Sequence, residues 1–468
     1  MTESLQSMTA RADALKARGN YQDALLIYRL AVESWPQSAV AVHNLASILG
    51  DLGHHEESAS TASRAIKMGL KAPETHLVLA RALTHSGKTG PAQSAYRDAI
   101  NLRSDMAPAL FELSQLIWMS TANNVLALQP LVDAVRANPM SGPLHFSLSQ
   151  ALAFTGDKKA AAQVLLDLAS RGGADASLIA QAADLLIEID ALDMARELAM
   201  QAYQSDKVSL GVLLTLLRAA IASGDRVGAA AAAAEACVRS PLNQHVLALQ
   251  ATVWRMLDDP RFDVLYDYKN VVRSYLIEPP AGWSSRADYL KDLAAELKAA
   301  HQYRTHPFGH SVREGSQLPN LLTVQTPAIQ AFRQALAAPV QQHINHLSSI
   351  GNQPLPLVGR NTGRWQIQGI WSVLLKPGGF HVDHVHPEGW LSSAFYVELP
   401  QAVEDENHEG WIRFGEAGAV VQPHQPAQHF VKPEPGMLVL FPSYMWHGTV
   451  PFTGTQSRLT VALDIIPV

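Results

Sequence analysis

A 34-residue register governs the first half of this chain. From Ala24, steps of 34 reach Ser58 and Ala92; after one inserted residue the series resumes at Ala127, Ala161, Ala195 and Ala229. Seven residues after each come Ala31, Ala65, Ala99, Ala134, Leu168, Ala202 and Ala236. Five residues before each come Gly19, Gly53, Gly87, Ala122, Gly156, Asp190 and Gly224. Proline closes the first, fourth and seventh units, as Pro36, Pro139 and Pro241. A period of this length is one supersecondary unit, stacked because a single copy cannot bury its own apolar face. The residue types fit two helices per unit. A glycine or turn residue ends the first helix, small residues on the second let neighbours approach, and proline stops it. Tyr21, Tyr28 and Tyr96 are expected to fill space between helices.

The pattern resembles the tetratricopeptide repeat (TPR), in seven copies over roughly residues 5–242. The resemblance implies a superhelix whose concave groove holds a peptide or partner protein, with a purely structural role as the plainer alternative. Residues 244–258 read as one more amphipathic helix capping the array. Segments 261–277 and 285–300 read as helical, separated by Pro279, Pro280 and Gly282. The polar stretch from His301 to Asn320 reads as turns, and 327–350 as a last helix. Beyond Gly351 the sequence becomes strand-like. Candidate strands are 364–375, 391–399, 410–414, 437–441 and 458–466, separated by Pro/Gly turns, which predicts a β-sandwich or barrel. The expected division is residues 1–258 and 259–468, a multidomain α + β protein.

Composition narrows the chemistry. Charged residues are 17% of the chain and the formal net charge is −6, against a whole-surface nucleic-acid or acidic-membrane binder. Cys237 is the single cysteine, which excludes an internal disulfide framework and any thiolate-rich metal site. The first twenty residues carry no apolar signal region, and no apolar run long enough to span a bilayer follows. The expectation is a cytoplasmic protein without membrane or nucleic-acid partners.

Histidine is unevenly spread: 12 of 19 lie from His301 onward. The dense stretch is Lys376–Pro400, with His381, Asp383, His384 and His386. His447 follows His386 by 61 residues, and Arg458 and Thr460 come soon after. Two ligands at i and i+2 on a strand share a face, and a third from a distant strand closes a facial set. Such a set leaves half of an octahedral ion open, as a non-haem Fe(II) oxygenase needs.

Longer motifs carry a family resemblance. They are Gly378-Gly379, His384-Val385-His386-Pro387, Gly389-Trp390-Leu391-Ser392-Ser393-Ala394-Phe395-Tyr396-Val397, Pro435-Gly436 through Phe441-Pro442 to His447, and Arg458. The chain resembles the TPR-containing 2-oxoglutarate- and Fe(II)-dependent oxygenases over both halves. The resemblance implies a double-stranded β-helix (jelly roll), with Fe(II) and 2-oxoglutarate as cofactor and co-substrate. The superfamily's usual triad is H-x-D/E plus a distal histidine. Here two overlapping pairs are available, His381 with Asp383 and His384 with His386. They have opposite parity on a regular strand, so only one can face inward there. The preferred set is His384, His386 and His447; the others are His381, Asp383 and His447, or a hybrid that uses Asp383 or a bulge. The resemblance further implies that Arg458 binds the far carboxylate of 2-oxoglutarate bidentately, assisted by Thr460 and by Tyr396.

The expected activity is hydroxylation of an amino-acid side chain on a protein or peptide recruited by the TPR groove. The competing readings are a non-catalytic TPR scaffold with a degenerate jelly roll, and a cupin-type metalloprotein. Trp371, Trp390 and Trp446 read as core. His408, His424 and His429 read as exposed loop residues, and His306, His310 and Arg313 as a simple loop, with the edge of the active site as the alternative.

Overall fold

A computed structural model of the chain describes residues 3–322, 324–350 and 356–468; Gly351, where strand-like sequence is expected to begin, lies outside them. The chain forms two compact units, Met1–Ala151 and Leu152–Val468.

Seven helix pairs follow the 34-residue register. They are α1 (Leu5–Ala17) and α2 (Tyr21–Ser34), α3 (Ala39–Asp51) and α4 (His55–Lys67), α5 (Pro73–His85) and α6 (Thr89–Leu102), α7 (Ala107–Thr121) and α8 (Asn124–Ala137). Then come α9 (Gly142–Phe154) and α10 (Lys158–Ser170), α11 (Ala176–Glu188) and α12 (Leu192–Ser205), α13 (Leu210–Ala222) and α14 (Arg226–Arg239). All seven small residues of the register, from Ala24 to Ala229, are 0% exposed. Each sits on the second helix of its pair, where a larger side chain would push the first helix away. All seven preceding turn residues adopt positive φ, including Ala122 at 55° and Asp190 at 62°. The left-handed turn is therefore a property of the repeat rather than of glycine, and the two substituted units carry its strain. Of the three tyrosines, Tyr28 and Tyr96 are buried, whereas Tyr21 is 40% exposed and fills no gap.

The second unit carries the β structure. After α15 (Gln244–Met256) come α16 (Arg261–Leu265), α17 (Tyr268–Val271), β1 (Arg273–Leu276), α18 (Arg286–Ala300), β2 (Val312–Leu318), α19 (Pro327–Ala335), α20 (Ala337–Ser349) and α21 (Pro356–Gly359). Then follow β3 (Trp365–His381), β4 (Leu391–Glu398), β5 (Ile412–Phe414), β6 (His429–Val431), β7 (Met437–Pro442), β8 (His447–Thr449) and β9 (Arg458–Pro467). Two antiparallel sheets result, one of six strands in the order β1-β7-β4-β9-β3-β2 and one of three in the order β6-β5-β8. Every strand expected from the sequence is present. The stretch 261–277 is not one helix but two short ones and β1. The segment 327–350 is broken at Leu336 into α19 and α20.

Helix α15 is not an outer cap. Residues on both its faces are buried, among them Val246, Leu247, Leu249 and Val253. It lies within one apolar cluster that runs from Leu213 on α13 to Ile465 on β9. The Trp446 indole N–H donates to Thr252 Oγ1 at 3.0 Å, and Arg255 donates to the carbonyls of Gly415 and Pro426. The change from helices to strands falls near residue 258, but the packing unit begins about three helix pairs earlier. Among the described residues no helix is long and apolar enough to cross a membrane.

Candidate metal centre

Strand β9 supplies one wall of a cavity of about 400 Å³. Arg458, Thr460, Ala462 and Asp464, alternate residues of that strand, all line it. The alternation is the period-2 rule at work. Across the sheet, Arg458 pairs in register with Leu375, Thr460 with Val373 and Ala462 with Trp371. His381, His384, His386 and His447 line the same cavity.

His384, His386 and His447 each offer a ligand nitrogen, and these nitrogens lie within 4.8 Å of one another. Backbone pairing brings them together. His384 N–H donates to the His447 carbonyl at 2.9 Å, and His447 N–H returns the bond at 3.1 Å. His386 N–H donates to the Ser443 carbonyl at 3.0 Å. Each ring is then aimed by its Nδ1. His384 Nδ1 meets the Val382 carbonyl at 2.8 Å, His447 Nδ1 the Met445 carbonyl at 2.9 Å, and His386 Nδ1 the Asp464 carboxylate at 2.7 Å. With only acceptors opposite, each Nδ1 carries a proton, which leaves Nε2 as the ring atom that faces a metal. The Nε2 atoms of His384 and His386 are 3.2 Å apart. Two nitrogens at about 2.1 Å from one ion, the bond length of a zinc–imidazole site, and at right angles would be about 3.0 Å apart. The donor set thus fits a single metal ion.

Electrostatics favour the neutral rings a metal needs. Burial, then the neighbouring imidazoles, drives His447 well below the usual histidine range. Burial, then His386, pushes His384 down to about 3. Phe441 packs on His447 with ring centres 4.5 Å apart, and Trp371 stacks on His386 at 5.6 Å.

The other sequence candidates divide. His381 lines the cavity, its Nδ1 3.0 Å from Ser311 Oγ, with its ring centre 6.1 Å from that of His384. Asp383 turns away into an ion pair with Arg413. Burial raises its carboxyl above the usual range, against the pull of Arg413. Opposite parity holds only on a strand that runs through residue 386, whereas β3 ends at His381 and the chain bends at Asp383. Both histidine groups therefore reach the cavity, and only the carboxylate leaves it.

Arg458 is 2% exposed, and its Nε has no hydrogen-bond partner. Its guanidinium lies over the Tyr396 ring, 5.2 Å from the centre. Burial lowers its pKa and pushes the Tyr396 phenol up to about 12. Among the described residues no carboxylate pairs with this arginine, so it is a buried cation lining a cavity beside a metal-fit site. A small dianion meets that need. Tyr396 is not part of the cavity lining; it lies under Arg458 and pairs in register with Thr460.

Two cavity residues, Asp464 and Gln317, were not singled out from the sequence, whereas His310 already had the edge of the site as its alternative reading. Asp464 lies six residues beyond Arg458 on the same strand face and could have been found by that spacing. His310 and Gln317, hydrogen-bonded to each other at 2.9 Å, reach the cavity from β2 and the residues before it. Gln317 sits where the sequence reads as turns. His408 and His429 are not free loop residues: His408 stacks on Phe430 at 4.4 Å and His429 on Tyr268 at 5.1 Å.

Residues 369–464 match the family described as "Putative 2OG-Fe(II) oxygenase". This span holds all three clustered histidines, Arg458 and Asp464. A fungal relative, the small glutamine-rich tetratricopeptide repeat-containing protein 2 of Mycosarcoma maydis, is 31% identical over 139 residues, 27% of this chain and 39% of that protein. The chain thus spans about two fifths of that relative's length. Among solved structures, a tetratricopeptide repeat protein from Parabacteroides merdae aligns at 15% identity over 53% of this chain and 98% of its own, with a TM-score of 0.38. PilF of Pseudomonas aeruginosa aligns at 17% identity over 44% and 94%, with a TM-score of 0.33.

Proposed function

We propose that this chain, which joins TPR-like helices to a domain of the 2OG-Fe(II) oxygenase family, is an Fe(II)- and 2-oxoglutarate-dependent dioxygenase that hydroxylates a protein or peptide side chain. The observation that carries the reading is the pairing, in one cavity, of a three-histidine focus with a buried arginine that has no acid partner among the described residues. His384, His386 and His447 would hold the iron. Bound iron and 2-oxoglutarate supply the oxidising chemistry for an unactivated C–H bond. The chain's own residues bind, orient and exclude water. Arg458 holds the distal carboxylate of the co-substrate by charge-assisted hydrogen bonds, with the Thr460 hydroxyl beside it on the same strand face. Phe441, Trp371 and Val373 keep the walls apolar, which strengthens the arginine–carboxylate attraction.

A protein or peptide substrate follows from the joined architecture, because TPR surfaces bind chains. That reading is tested by incubating the full chain with Fe(II), 2-oxoglutarate and co-purifying peptides and looking for a one-oxygen mass gain. The metal reading is tested anaerobically. Fe(II) followed by 2-oxoglutarate is expected to give a metal-to-ligand charge-transfer band in the wild type and none in His447→Ala. A wild type without the band refutes the reading.

A further inference from the structure

The carboxylate that a three-histidine site lacks is present one hydrogen bond further out. His386 Nδ1–H donates to Asp464 Oδ2 at 2.7 Å, whereas His384 and His447 direct the same atom at neutral carbonyls. The pair is largely shielded, with side chains 15% and 17% exposed. Asp464 is itself held. Ser392 Oγ–H donates to Asp464 Oδ1 at 2.7 Å, and Ser443 Oγ lies 2.9 Å from Ser392 Oγ. Ser443 also accepts from the His386 backbone N–H, so ring and backbone of His386 are fixed by one network. That network explains a glycine in the motif. A Cβ on Gly389 would lie 2.3 Å from Ser443 Oγ, so only glycine lets the serine reach its place.

A site of two histidines and a carboxylate puts one negative charge directly on the metal. Three neutral imidazoles put none. An acid behind a ligating histidine raises that ring's donor strength and fixes its orientation. We propose that Asp464 is the charge-compensating residue of this metal centre, a positioning residue that acts through His386 and is locked by Ser392. The inference rests on the three-histidine reading above. It assigns the motif serine Ser392 and the strand residue Asp464 a task that packing alone does not require.

The test uses the full metal-free chain, titrated with Co(II) and read by its ligand-field absorption, then with anaerobic Fe(II) and 2-oxoglutarate. Asp464→Asn keeps the shape and removes the charge. Its Co(II) affinity should fall about 10- to 100-fold, and the iron–2-oxoglutarate band should move to higher energy because the iron loses electron density. Ser392→Ala should shift the band in the same direction by less, and it decides the matter if Asp464→Asn does not fold. Variants that lower thermal stability but leave affinity and band energy as in the wild type would overturn the inference and leave the oxygenase reading standing. A wild type that binds neither metal overturns both, through the oxygenase reading itself.

Discussion

The repeats and the β domain use burial for opposite ends. In the repeats, seven equivalent positions are all fully buried and all small, so each contributes the same close helix contact. No single one is special. In the β domain, deep burial is given to Arg458, a charge with no acid partner among the described residues, and to His447, with His384 partly buried beside it and both imidazoles held neutral. The first pattern serves stability. The second gives up stability in the empty protein for readiness toward an anion and a metal.

The largest expected effect breaks the comparison at its centre. His384→Ala or His447→Ala should abolish Co(II) binding, while Asp383→Ala should retain it. Retention in His386→Ala with loss in Asp383→Ala would move the centre to the other pair. Acid should come next. Burial pushes His343 down to about 3, and burial with Arg313 and His310 pushes His306 down to about 4. The unfolded chain protonates near 6.5 and the folded one does not. The contribution of these groups is therefore complete above pH 6.5 and is lost as pH falls toward 4, each by up to about 1.4 kcal/mol per pH unit. Urea unfolding of the second unit with the same midpoint at pH 7 and pH 5 would contradict this.

Arg458→Met sharpens the contrast in one step. It should stabilise the metal-free chain by about 1–3 kcal/mol and at the same time remove 2-oxoglutarate binding. A fall in melting temperature would show that the arginine is structurally satisfied after all. In the repeats, Ala195→Leu should cost about 1–3 kcal/mol by overpacking, and Ala161→Leu should cost a similar amount because the sites are equivalent. The smallest effect is a gain. Asp190→Gly relieves a left-handed residue and should stabilise by about 1 kcal/mol, read as a small rise in melting temperature.

The same difference decides what could be read from the sequence. Repeat positions are local and periodic, so the seven pairs and their left-handed turns were legible from one register. Strands with a clear apolar content, β3, β4, β7 and β9, were legible too. Strand β2 was not, because Val312–Leu318 is polar and irregular: Glu314 takes φ 52° and the register shifts between Arg313 and Gly315. Gly315 is needed there, since a Cβ would lie 2.7 Å from the Leu374 carbonyl. The short strands β1, β6 and β8 owe their extension to partners far away in the chain, which no local pattern records. At the site, the three histidines and Arg458 were visible as a constellation. What could not be seen was where β3 stops, and this removes Asp383 and admits His381. Asp464 was within reach of the rule that paired Arg458 with Thr460.

The reciprocal backbone bonds between His384 and His447 also bear on how the centre would fill. They cross-link two of the three rim residues in the chain as it stands, and Ser443 ties the third. A rim of this kind has little freedom left to lose when an ion arrives. Loading would then be an event of the folded protein, unlike a zinc finger, which folds on its metal. A chelator should strip the centre and leave the helical and strand signatures of the chain intact, and added ion should refill it without a folding phase.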